Sequence, residues 1–265
     1  MDIFPEMQAA LLDLLDGLTA EAWNAPTVCA GWSVKDIAAH LLADCMSVVS
    51  GQRDRMPRIN VATWGELVDR INAQNDLWVR TCRRFSARVL CTQLATASAE
   101  MLAYFASLDP FAAHGPVEWA GSGPAPRWLE MAREYTEFWM HQQHIRDAVG
   151  KPGLKEPRFF APLLATFTLA LPQTFQAVDA PEGTAVRFII TGESGGEWAL
   201  LREHGGWKLY RSVDARPAAS VTMDGDTAWR LFTKGISRQE AESRAMLEGD
   251  RSLGLNLFNT VSIIA

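Results

Sequence analysis

The apolar pattern of this chain changes period once, and that change limits the folds open to it. Up to about residue 150, apolar side chains recur every three or four positions, the spacing of amphipathic helices. Leu11, Leu12, Leu14, Leu15 and Leu18 make a first stripe over 7–18. Ser33 and Asp36 read as a capping box that starts a second helix, running through Val34, Ile37, Ala38, Leu41, Leu42 and Cys45 to about residue 50. Thr63 and Glu66 repeat the box before a helix over 64–88, and a shorter helix is expected over 98–108. A turn-rich loop over 109–126 leads to a helix over 127–149, stopped by Gly150 and Pro152. Beyond Lys151 the pattern turns strand-like. The run 184–191 is β-branched, 197–201 and 207–211 flank a His204-Gly-Gly turn, and 219–223 reads as a further strand. Helices are expected over 227–234 and 251–264. The fold class is therefore α+β in two domains: an up-and-down helical bundle over 1–155 and a smaller α+β domain over 156–265.

Composition narrows the partners. A net charge of −6 and a pI near 5.4 supply no basic footprint for nucleic acid. The start of the chain lacks the charged and apolar regions of a signal peptide. The most apolar stretch, 159–178, is interrupted by Pro162 and Pro172. The expectation is a cytoplasmic protein, monomer or homodimer, with neither membrane nor nucleic acid as partner. Cys29, Cys45, Cys82 and Cys91 form no CxxC pair and read as reduced thiols of the core or surface.

Only five histidines are present, and two of them lie in Glu137-Phe-Trp-Met-His141-Gln-Gln-His144. At about 100° per residue, Glu134, Glu137, His141 and His144 fall within an arc of about 80° on one helix. His40, on the helix that Ser33 begins, offers a third imidazole. Two imidazoles and a carboxylate from two helices match the three protein ligands of a catalytic zinc site, with a fourth position open. The plainer alternatives are a salt-bridged surface stripe for the helix face and a hydrogen-bonded core position for His40. HExxH and dinucleotide fingerprints are absent from the sequence, and Gly-Glu-Ser-Gly-Gly at 192–196 reads as a turn.

The segment from Leu18 to Leu41, with Trp23, Pro26, Cys29, Gly31-Trp32-Ser33-Val34 and Asp36-Ile37-Ala38-Ala39-His40, resembles the opening of the mycothiol-dependent maleylpyruvate isomerase family. That family belongs to the DinB-like metal-binding four-helix bundles. Glu137-x₃-His141 followed by Ile145-Arg146-Asp147-Ala148-Val149-Gly150 is a second match. Trp229 to Gly235 and Glu248-Gly-Asp250 are a weaker third, in a sterol-carrier-like C-terminal domain. The resemblance implies that His40, Glu137 and His141 hold a divalent metal, zinc first, with nickel, iron or manganese also suited to the donor set. His144 departs from the family pattern, which has an aspartate there. It reads as a further ligand, a proton carrier or a polar neighbour.

The chemistry implied is that of a small-molecule thiol, mycothiol, ionised at the metal and presented to a small electrophile. With maleylpyruvate, the thiolate would add to the double bond, allow rotation and be expelled. An S-transferase would use the same parts. Glu134 is a candidate base that orients an imidazole or moves a proton, and Arg230 or Lys234 are candidate partners for an anionic substrate. Two alternatives belong to other classes: a non-catalytic small-molecule-binding module with a structural or vestigial metal, and a metal-dependent hydrolase.

Overall fold

A computed structural model describes residues 3–57 and 63–263. Contacts divide the described chain into two units. The first comprises the residues up to Asp109 together with Glu134–Gly153, and the second Pro110–Arg133 together with the residues from Leu154 onward. A single cut at 155 does not separate these units. Val117, Trp119 and Leu129 are buried in one cluster with Ala170, which ties 110–133 to the second unit.

The first unit is helical. Its elements are α1 (Ile3–Asp16), α2 (Ala20–Trp23), α3 (Val34–Val48), α4 (Trp64–Cys82), α5 (Ala87–Ala106) and the greater part of α6 (Arg127–Val149). α3 packs against α4 and α5, and α5 also against α1. Phe4 of α1 meets Phe105, Tyr135 and Phe138 at centroid distances of 6.5, 5.6 and 5.6 Å, which joins α1 to α5 and α6.

The Ser33 box forms as expected. The Ser33 hydroxyl accepts from the Asp36 amide, and the Asp36 carboxylate accepts from the Ser33 amide at 2.9 Å. Thr63 caps α4. In this unit the expected helix limits shift most at α4 and α5. α4 stops at Cys82 rather than near 88, because Arg83 is drawn onto Asp36 and the Gly31 carbonyl, and Ser86 opens a new helix by accepting from the Val89 amide. That helix, α5, therefore begins eleven residues before the expected position 98.

The second unit contains a five-stranded sheet ordered β5-β4-β3-β6-β7, from β3 (Ala185–Thr191), β4 (Gly196–Glu203), β5 (Gly206–Tyr210), β6 (Ala219–Asp224) and β7 (Met246–Gly249). β3 and β6 run parallel, with Val186 opposite Ala219, and the other pairs are antiparallel. A short hairpin, β1 (Ala113–His114) with β2 (Ala125–Pro126), precedes it. The helices are α7 (Pro157–Phe167), α8 (Leu171–Phe175), α9 (Gly225–Phe232), α10 (Arg238–Arg244) and α11 (Arg251–Asn256). α7 and α8 occupy the apolar run that carried no sequence assignment. Pro157 fits there because the first helical turn leaves its amides unbonded. The expected final helix over 251–264 is cut short at Asn256. Phe188 packs on Phe232 and Trp198, and Phe167 on Phe232, at centroid distances of 5.9, 6.2 and 6.3 Å. No helix among the described residues is long and apolar enough to cross a membrane.

Candidate metal centre

Within the first unit α6 is enclosed rather than amphipathic. From Glu134 to Ile145 every residue is buried except Glu137. The acidic and imidazole stripe is therefore not surface decoration. Glu134, His141 and His144 are 3%, 6% and 7% exposed. Burying such groups is costly unless they find partners, and here they find one another.

The capping box fixes where α3 begins and so places His40 two turns in. The His40 ring comes to Glu137, with Nε2 3.1 Å from Oε1. His141, one turn after Glu137, brings its own Nε2 to 3.0 Å from the same oxygen. The three donor atoms lie within 4.8 Å of one another. Asp44, one turn after His40, adds an oxygen 3.3 Å from His40 Nε2. Glu137 retains 25% side-chain exposure against 6% and 8% for the two imidazoles, so of the three it is the residue that solvent reaches.

The electrostatics follow from this crowding. Burial works to lower the His40 pKa, but Asp44, Glu137 and Glu134 outweigh it and bring the imidazole up to about 9. Burial works the other way on Glu137, yet the imidazoles of His141 and His40 hold its carboxyl well below the usual range. Two imidazole nitrogens and a carboxylate oxygen around one point are a fitting donor set for a divalent cation of the zinc, iron or manganese class.

Three neighbours, Trp32, Cys29 and Asp44, had no role at the site in the sequence reading. Trp32 sets its ring 5.1 Å from that of His40 and, nearly parallel, 6.5 Å from that of His141. Cys29, in the loop before α3, places Sγ 3.3 Å from His144 Nδ1, and burial pushes its thiol up to about 11. Asp44 carried the same four-residue spacing from His40 that drew attention to Glu137 and His141, and was legible on that ground. Cys29 had no such signal. Of the other candidates, Glu134 lies one turn before Glu137 and acts on His40 by its charge. Arg230 belongs to the second unit. It stands 3.0 Å from Asp226 with its guanidinium 4.4 Å from the Trp229 ring centroid.

Among curated proteins none matches this sequence. The fold has solved counterparts. A crystal structure of the mycothiol-dependent maleylpyruvate isomerase aligns with a TM-score of 0.55 at 10% identity, over 87% of this chain and 85% of that one. A crystal structure of a histidine-to-alanine mutant of that enzyme gives 0.52 at the same identity and coverage. At this identity the likeness is one of fold. The sequence itself carries the family signal: the profile of the mycothiol maleylpyruvate isomerase N-terminal domain matches residues 4–146. That span is more than half of the chain and contains His40, Glu137 and His141, and the chain thus belongs to the mycothiol maleylpyruvate isomerase N-terminal domain family.

Proposed function

We propose that this protein is a divalent-metal-dependent enzyme that uses a small-molecule thiol, mycothiol, to isomerise a small electrophile in the manner of maleylpyruvate isomerase, or to transfer the thiol to it. The observation that carries the reading is the convergence of His40 Nε2, His141 Nε2 and Glu137 Oε1, with spacings of 3.0 and 3.1 Å about the carboxylate oxygen. These three residues would hold the cation and leave a position on the exposed Glu137 side. A cation there lowers the pKa of a thiol that coordinates it, which makes the thiolate available near neutral pH. Zinc heads the candidates for a trio of this composition.

The protein's own residues do the rest by position. α3 presents His40 and α6 presents Glu137 and His141, so that both imidazoles meet one carboxylate oxygen. Trp32 covers both rings and restricts their rotation. Glu134 and Asp44 place negative charge beside His40, which favours a cation at the trio. With His141 Nε2 committed to the trio, its Nδ1 proton points at His144 Nδ1, 3.4 Å away, and that contact orients the ring. His144 thus serves where the family pattern has an aspartate.

The test is the metal content of purified wild type and His141→Ala by plasma mass spectrometry, followed by assay of maleylpyruvate with mycothiol. Metal bound by the wild type and lost in the variant, with turnover that needs the thiol, is the expected result. Turnover that persists without any thiol would replace this reading with a hydrolase.

A further inference from the structure

A second group of donors converges on the other edge of the His141 ring. Cys29 Sγ lies 3.3 Å from His144 Nδ1, and that nitrogen lies 3.4 Å from His141 Nδ1. All three donor atoms fall within 4.8 Å of one another. The two imidazoles are buried and meet nearly at right angles, with ring centroids 5.2 Å apart. Cys29 is held by a tight turn. The Trp32 amide donates to the Cys29 carbonyl at 2.9 Å, the Thr27 amide to the Trp32 carbonyl at 3.0 Å, and the Cys29 amide to the Thr27 hydroxyl at 3.2 Å. Gly31, at φ +77°, supplies the left-handed residue the turn requires.

Hydrogen bonds alone serve this trio poorly. Each nitrogen of a neutral imidazole presents either one N–H or one lone pair. His144 Nδ1 faces both Cys29 Sγ and His141 Nδ1, so it satisfies one of them whether it donates or accepts. A cation accepts a lone pair from all three at once. The spacings suit one: zinc–sulfur and zinc–nitrogen bonds of about 2.3 and 2.0–2.1 Å at tetrahedral angles put sulfur and nitrogen roughly 3.6 Å apart and two nitrogens roughly 3.4 Å apart.

We propose that Cys29 Sγ, His144 Nδ1 and His141 Nδ1 form a second cation site, for a thiophilic divalent ion of the zinc class, sharing His141 with the His40–Glu137 trio. Occupation of this site releases the Cys29 thiol proton to solvent and leaves His144 with its proton on Nε2, and the His141 proton is released as well only when the His40–Glu137 trio also holds its cation. With both sites filled, His141 bridges them as an imidazolate. The site stands on its own geometry and does not require the function proposed above.

Cobalt(II) is the probe, because thiolate ligation gives a sulfur-to-cobalt charge-transfer band in the near ultraviolet. The full chain, stripped of metal, is titrated as wild type, Cys29→Ser, His144→Asn and Glu137→Gln, with circular dichroism confirming the fold of each. Wild type is expected to bind two equivalents and show the band. Cys29→Ser is expected to lose the band and one equivalent, and His144→Asn to need at least tenfold more cobalt for it. Glu137→Gln is expected to keep the band. Should Glu137→Gln leave the stoichiometry unchanged while the band still depends on Cys29, the first trio fails as a metal site and the second stands. A wild type without the band, a band that survives Cys29→Ser, or one lost in Glu137→Gln overturns the proposal; the last would mean one site drawn from both trios.

Discussion

His40 and Glu137 lie 97 residues apart in the chain and 3.1 Å apart in space, Nε2 to Oε1. The capping box at Ser33 sets where α3 starts, and the burial of α6 turns Glu137 toward it. The contact is thus built from two helices that each form on local signals and meet only on folding.

This contact gives the metal-free protein a defined pH response. His40 is raised to about 9 in the fold, so its contribution is full below the ordinary histidine value of 6.5 and is lost as pH rises through about 9. Glu137 is depressed, so its contribution is present above 4.5 and is lost as pH falls through the lowered value. Chelated protein is expected to be most stable between these ordinary values, 4.5 and 6.5, and to weaken toward pH 9. Urea midpoints across a pH series measure it; a flat profile from pH 6 to 10 would contradict the His40 environment.

Cation binding must displace the proton that His40 carries at neutral pH. Affinity is expected to rise about tenfold per pH unit up to about pH 9. Calorimetric titration with zinc in buffers of different ionisation enthalpy counts the protons released. Glu137→Gln should lower the His40 pKa, as followed by NMR.

Asp36 does more than cap. Its carboxylate accepts from the Ser33 amide and hydroxyl at 2.9 and 3.0 Å, and from Arg83 Nε and Nη2 at 2.9 and 3.0 Å, while 3% exposed. Asp36→Ala removes a cap and leaves these donors unmatched, so a loss of about 2–4 kcal/mol is expected in denaturant melts. A conservative Asp36→Asn should cost less, since it preserves the cap acceptor.

Gln142 is fully buried on α6, and neither its amide nitrogen nor its amide oxygen has a hydrogen-bond partner among the described residues. Replacing it with Met, of similar shape and no polar demand, should stabilise the fold by about 1–3 kcal/mol. A lowered Tm would show that an internal water serves the amide.

Gly249, at the end of β7, takes φ +78°, and a Cβ there would stand 2.2 Å from the Ala218 carbonyl oxygen. Gly249→Ala should destabilise by more than the roughly 1–2 kcal/mol of the left-handed conformation alone. Thermal unfolding of the variant reads this directly.

Local signals were legible in the sequence. Ser33 with Asp36 marked a helix start, the four-residue step from Glu137 to His141 put two donors on one face, and the β-branched run at 184–191 marked a strand. These follow from backbone periodicity and capping, which a short segment decides for itself. Tertiary structure decided what depends on enclosure and on the meeting of distant segments. It buried α6 on all sides, which no periodicity of its polar residues indicated, and it split the long apolar run into α7 and α8. It carried 110–133 into the second unit, where Val117, Trp119 and Leu129 find a core. It also brought Cys29 from a loop to the far edge of His141. A loop residue has no period to read, and its neighbours are fixed only when α3 and α6 pack.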